Sequence, residues 1–372
     1  MRYELKCTKC ESPSTNILDY KCRCGSPFEV KLHFRFDKAN IEKQDYSIWR
    51  YRNFYPYLDK KEIVSLGEGW THVVKIRKNL YCKLEFLNPT SSFKDRGSAS
   101  LISAIHRKVK EERGYISEDS SGNAGASIAA YSSRAGLKAK IFVPESVLER
   151  KLNQILFYGA EVERVKGERN EVAIKAQKPE KGKFYVGHIW HPIFNDGVRT
   201  LAYELAEQFE WNLPDYVYLP VSAGTLLLGV IRGFRHLVNS GLADEFPTVV
   251  GCQPERVSPL YHRLMNQPFS RPEMMDSIAD ALVSVNPPFM EMMVNELKEI
   301  GGKAEVVNED QTYDAFVELA RNGFYVEPSS AVAYAAYKKH TEMDELVKRE
   351  RTVIVLTGSG LKSKLKPRQS LS

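Results

Sequence analysis

The stretch NPTSSFKDRG, residues 88–97, places one primary amine, Lys94, between an aromatic residue and an aspartate, behind a run of small polar residues. Asn88-Pro89 reads as a turn, because a residue before proline is pushed out of the helical region and proline cannot continue a strand ladder. Ser91 or Ser92 can cap the helix that follows, with Lys94, Asp95 and Arg96 as its solvated first turn. The helix macrodipole works against that simple picture, since it disfavours cations at an N-terminus. A lysine there has its ammonium form destabilised, which suits an amine that acts as nucleophile or base.

Three other junctions carry complementary chemistry. Ser120-Ser121-Gly122-Asn123-Ala124-Gly125 follows a strand-like run, and its small residues leave backbone N–H groups accessible to a carboxylate. Asn123 can also hydrogen-bond a ring oxygen. Pro220-Val221-Ser222-Ala223-Gly224-Thr225 lies between a strand and an apolar helix, where the helix N-terminus favours a phosphate. Leu356-Thr357-Gly358-Ser359-Gly360 follows the last strand. Each junction alone is a routine turn or cap. An amine, a phosphate cradle, a carboxylate cradle and a hydroxyl at a strand end together match a pyridoxal phosphate site, whose aldehyde forms a Schiff base with a lysine.

A second cluster lies near the N-terminus. Cys7-x-x-Cys10 and Cys22-x-Cys24-Gly25 are separated by a short loop, and two close thiolate pairs can supply four tetrahedral ligands to zinc. The second pair is tighter than the common spacing, which leaves a metal-free knuckle as the alternative. Cys82 and Cys252 are isolated and read as small core residues.

The elements that must position these groups show a clear rhythm. From residue 115, strand-like runs at 115–117, 140–143, 161–165, 184–186, 216–219, 248–251 and 352–356 alternate with helical segments. This pattern predicts βαβ units, largely parallel sheets, and ligands at the carboxyl ends of strands. At 372 residues, two domains are expected. With 43% hydrophobic and 27% charged residues the composition is that of an ordinary soluble protein. No apolar run is long enough to span a membrane and Met1-Arg2-Tyr3-Glu4 does not begin a secretory signal, so the expected compartment is the cytoplasm. The net charge of +6 is spread along the chain and no basic stripe with interleaved aromatics occurs, which argues against a nucleic-acid partner.

The sequence resembles the fold-type II pyridoxal-phosphate enzymes, and within them the threonine synthase family. The likeness runs from about residue 40 to 365 and includes Trp49-Arg50-Tyr51, Ser65 to Thr71, Asn88 to Gly97, Ser120 to Ser127, Gly251-Cys252-Gln253, Glu327-Pro328-Ser329-Ser330-Ala331 and Leu356 to Lys362. The cysteine-bearing segment looks like that of archaeal-type members. The resemblance implies an α/β fold of two doubly wound open-sheet domains, similar to the tryptophan synthase β subunit, behind a zinc-ribbon-like segment at 1–35. The larger domain would take 36–95 and 205–365, a smaller mobile domain 96–204, and a basic tail 366–372. A homodimer is expected.

Residue roles follow from the same resemblance. Lys94 would hold pyridoxal phosphate and then shuttle protons, with Phe93 against the ring. Asn123 would bond the ring's 3′ oxygen and Thr357 the pyridine nitrogen. Val221, Ser222, Ala223, Gly224 and Thr225 would cradle the phosphate. Ser120 and Ser121 would hold the substrate carboxylate. The family's usual residues for the substrate phosphate are missing, however: Phe194 falls where an arginine is expected and Ile189 where a serine is. His188, His191 or Arg199 could compensate. Ala124, Ser359 and His72 also depart from the family pattern. Three readings therefore compete: a threonine synthase acting on O-phospho-L-homoserine, a related dehydratase or phosphoserine-using synthase, and a non-catalytic regulatory paralogue.

Overall fold

The computed structural model describes residues 2–147, 149–167, 169–271, 277–363 and 365; the basic tail lies outside them. Three strands near the N-terminus, β1 (Tyr3–Cys7), β2 (Pro13–Ser14) and β3 (Phe28–Leu32), form an antiparallel sheet in the order β2-β1-β3. The remaining strands are β4 (Val73–Arg77), β5 (Leu80–Lys83), β6 (Tyr115–Glu118), β7 (Lys138–Pro144), β8 (Glu161–Val165), β9 (Lys183–Tyr185), β10 (Tyr216–Pro220), β11 (Thr248–Pro254), β12 (Lys303–Val307) and β13 (Thr352–Val355). The helices are α1 (Lys94–Glu111), α2 (Asn123–Arg134), α3 (Glu149–Phe157), α4 (Arg169–Gln177), α5 (Pro192–Val198), α6 (Thr200–Gln208), α7 (Thr225–Asn239), α8 (Pro259–Leu264), α9 (Met290–Glu299), α10 (Glu309–Arg321) and α11 (Pro328–Met343).

Two open α/β sheets result. One has six strands in the order β12-β11-β10-β13-β5-β4, all parallel except the β4–β5 pair. The other has four parallel strands in the order β8-β7-β6-β9. The central strands are nearly continuous runs of buried β-branched and aromatic residues, Tyr-Val-Tyr-Leu-Pro in β10 and Thr-Val-Ile-Val in β13, as expected for strands covered on both faces. The crossover rhythm predicts these elements. It misses β4, β5 and β12, strands of four or five residues in which charged side chains interrupt the apolar run.

The helix after Lys94 starts differently from the expectation. Its N-cap is Phe93, and neither Ser91 nor Ser92 caps it. The preceding loop is fixed instead by Asp95, whose carboxylate accepts from the Thr90 backbone N–H (2.6 Å), the Thr90 hydroxyl (2.5 Å) and the Ser127 hydroxyl (2.6 Å). The loop is also pinned to the end of β13, where the Phe93 N–H donates to the Thr357 carbonyl (3.0 Å) and the Ser359 N–H to the Ser91 carbonyl (3.1 Å).

The second cation of the first turn, Arg96, is buried completely. Its guanidinium forks onto Glu85 with two 2.7 Å bonds and also donates to both oxygens of Glu204. Lys83 donates to Glu204 at 2.7 Å. This four-charge network fastens α1 to β5, to the turn after it and to α6. It accounts for a cation where the macrodipole disfavours one, because two carboxylates surround it. No helix among the described residues is long and apolar enough to cross a membrane.

Candidate active site

A cavity of about 340 Å³ opens between the carboxyl ends of the strands of both sheets. Phe93, Lys94, Ser120, Ser121, Asn123, residues 221–225 and Thr357 all line it, although they come from four separate strand ends. The fold thus brings together the expected cofactor-site residues and both serines. Lys94 is partly exposed, to this cavity, and burial lowers its ammonium pKa to about 8. Its Nζ lies 4.7 Å from the centroid of the Phe93 ring.

Opposite stands the N-terminus of α7. Its N-cap, Gly224, has φ +98°, a left-handed conformation that side chains rarely adopt, and a Cβ there would fall 2.5 Å from the Met293 sulfur. No side chain caps this helix. Its first-turn N–H groups have no carbonyl of their own helix to bond, so the loop offers donors and a positive dipole end to an anion.

The cavity lining also holds a group to which the sequence reading gave no role. The Glu327 carboxylate accepts from Asn123 Nδ2 (2.9 Å) and from the Thr357 hydroxyl (2.9 Å), so one acid bridges the two residues expected at opposite edges of a ring. Burial raises its pKa, while those two bonds lower it. Lys362, a second amine lining the cavity, donates to the Thr90 carbonyl (2.5 Å) and to Asn123 Oδ1 (3.2 Å).

The distal end differs from the expectation. His188 and Ile189 line the cavity, but His191 and Arg199 do not. His191 caps α5, with Nδ1 accepting from the Ile193 N–H at 3.3 Å, and its ring is buried. Arg199 is buried and paired with Asp196 one helical turn earlier. Phe194 projects from α5 towards Lys94, whose Nζ lies 5.9 Å from its ring centroid. Other groups at this end were missed by sequence reading: Glu118 and Asp119 at the end of β6, and Arg169 at the start of α4. The two acids directly precede the Ser120 motif and were legible there. Arg169 belongs to no motif, and only the fold brings it to the cavity.

A family model described as pyridoxal-phosphate dependent enzyme matches residues 64–358. The chain belongs to the pyridoxal-phosphate dependent enzymes. It is 32% identical to the threonine synthase of Methanocaldococcus jannaschii, over 96% of this chain and 92% of that protein. To the threonine synthase of Methanosarcina acetivorans it is 29% identical, over 97% of this chain and 92% of that protein. Among solved structures, maize serine racemase superposes with a TM-score of 0.67 at 20% identity, covering 78% of this chain and 88% of that one, a likeness of fold.

The residues present fit the family's cofactor. They supply an amine whose neutral form is favoured by burial, an uncapped helix N-terminus behind a glycine for a phosphate, and Asn123 and Thr357 as polar contacts for a ring. In the N-terminal sheet, the sulfurs of Cys7, Cys10, Cys22 and Cys24 all lie within 4.8 Å of one another. A tetrahedral zinc–thiolate site needs sulfurs about 3.8 Å apart, from Zn–S bonds of about 2.3 Å.

Proposed function

We propose that this chain is a lyase that converts O-phospho-L-homoserine and water to L-threonine and phosphate. The observation that carries the reading is the placement of Lys94 and the α7 N-terminus in one cavity, in a chain similar to threonine synthases over nearly all its length. Bound pyridoxal phosphate supplies the electron withdrawal that makes protons on the substrate's α and β carbons removable. Lys94 would hold it through Nζ. Residues 221–225 would hold its phosphate on backbone N–H groups, and Asn123 and Thr357 would position its ring. Ser120 and Ser121 would fix the substrate carboxylate, so that the hydrogens to be removed face Lys94. The lowered pKa of Lys94 leaves a useful fraction of free amine near neutrality, so it can take a proton from carbon and return it.

The cysteine knuckle would hold one zinc. Four thiolates leave no open coordination position, so its role would be structural.

Phe194 favours a second reading. An apolar ring stands where the family resemblance leads one to expect an arginine, and a buried phosphate without cationic partners costs several kcal/mol. Among the described residues Arg169 and Lys362 are the other cations lining the cavity, and a substrate without a γ-phosphate would need neither. A product assay on purified protein decides between the readings. O-phosphohomoserine, phosphoserine, serine and threonine are offered separately, and threonine, phosphate and 2-oxo acids are measured. Release of threonine with an equal amount of phosphate supports the first reading. Faster formation of 2-oxo acid from serine or threonine rejects it.

A further inference from the structure

At the distal end of the cavity His188 belongs to the lining and Glu118 lies buried behind it, an acid–imidazole pair that the roles above leave unused. Glu118 is fully buried at the end of β6. Its Oε1 lies 2.7 Å from His188 Nδ1, and its Oε2 accepts the His188 backbone N–H at 3.0 Å. These two contacts fix both the residue and the tilt of its ring, which also packs edge-on against Phe194 with centroids 6.0 Å apart. With Nδ1 engaged, Nε2 is the ring nitrogen left for the cavity that His188 lines. An imidazole held by a buried carboxylate through one nitrogen is the arrangement that acid–base catalysis requires of the other.

We propose that the Glu118–His188 pair gives a proton to the oxygen that leaves the substrate side chain and recovers one from the water that enters it. This rests on the lyase reading above. In the leaving step the Cγ–O bond breaks, its electron pair stays on the phosphate oxygen, and that oxygen takes the Nε2 proton. Glu118 is then a carboxylate facing Nδ1–H, and Nε2 has a lone pair. In the entering step the water oxygen bonds to Cβ and its proton passes to Nε2, which restores the pair. The proton removed from Cα is given back at Cα and the one removed from Cβ is delivered to Cγ, the Lys94 amine taking and giving each in its turn. The sum is phosphohomoserine and water giving threonine and phosphate, with every side chain regenerated.

The surrounding charges are compatible with this cycle. Lys94 from α1, Asp119 beside Glu118, and Arg169 from α4 all act on the pair, while Phe194 from α5 adds no charge. Asp119 is itself held by the Tyr185 hydroxyl at 2.7 Å. Burial raises the Glu118 carboxyl to about 8 and keeps His188 well below its ordinary value. Two groups so coupled titrate as a pair. Near neutrality the pair retains its proton and presents Nε2–H; above about 8 it does not.

The test uses cofactor-loaded wild type, Glu118→Gln and His188→Asn. Both variants should keep the visible absorbance of the bound cofactor. Turnover should fall about 100-fold. Threonine per phosphate should drop below the wild-type ratio, with 2-oxo acid and ammonia making up the difference. Wild-type kcat should fall as pH rises past about 8, and this limb should be absent in Glu118→Gln. Variants with wild-type turnover and product ratio overturn the proposal. If a variant loses the cofactor, NMR titration of the wild-type histidines decides instead: the His188 ring signals should follow the Glu118 carboxyl near 8 without the ring itself gaining a proton near its ordinary 6.5, and a ring that protonates there independently overturns the proposal. A wild type that releases neither threonine nor phosphate overturns the lyase reading alone, and the same titration then tests the pair.

Discussion

Phe194 lies directly on Gly97, one helical turn after Lys94: a Cβ built on Gly97 would fall 2.4 Å from the Phe194 ring. The ring that stands where the resemblance leads one to expect an arginine is therefore also the floor on which the first turn of α1 rests. Gly97→Ala should destabilise the protein by about 1–3 kcal/mol through overpacking. Urea unfolding measures this. In Gly97→Ala/Phe194→Leu the smaller side chain should recover most of the loss, a coupling that two independent sites would not show.

Lys94 should capture pyridoxal phosphate with a pH dependence unlike that of an ordinary lysine. Burial brings its pKa from 10.5 to about 8, so half of the amine is free at that pH and nearly all of it at higher pH, well before an ordinary lysine. The rate at which cofactor-free protein gains visible absorbance should rise up to that pH and then level off. A rate still rising towards 10.5 contradicts the placement. Lys94→Ala should gain no such band and show no turnover.

Removal of one carboxylate from the buried network should be costly. Glu204→Gln leaves Arg96 and Lys83 short of a counter-charge, at a cost of about 3–5 kcal/mol. The pH dependence has a definite sign. Burial raises the Glu204 carboxyl, but Arg96 and Lys83 outweigh it and hold it at about 2, below its ordinary 4.5. Its contribution is thus present above 4.5 and is lost as pH falls towards 2. The stability gap between wild type and Glu204→Gln should be constant near neutrality and shrink over that acidic window.

Metal analysis should find one zinc per chain, and Cys22→Ser should lose it. Because four thiolates would close the coordination shell of such an ion, the loss should lower thermal stability of the N-terminal sheet with little change in kcat. A Cys22→Ser protein that retains a full equivalent of metal would contradict the assignment.

The alternation of strands and helices is legible in the chain alone, because parallel strands are short apolar runs and their crossovers carry helical period. Four strand ends also stood out as candidates, because small residues, hydroxyls and one amine, routine at any one junction, are unusual as a set. Lys94, Asn123, Gly224 and Thr357 were legible in that way. Only tertiary structure could decide which side chains from unrelated segments share the cavity. It left His191 capping its own helix and Arg199 on Asp196; a capping position and an i,i+3 spacing are readable in the chain, but not whether such a side chain keeps its local partner or reaches a cavity. It brought Arg169, far from any motif, to the distal end. And it joined Glu118 to His188 across two neighbouring parallel strands, a contact between residues 70 positions apart. Such a pairing depends on sheet order, β7-β6-β9, which periodicity cannot supply, because any order of the same strands buries the same apolar faces.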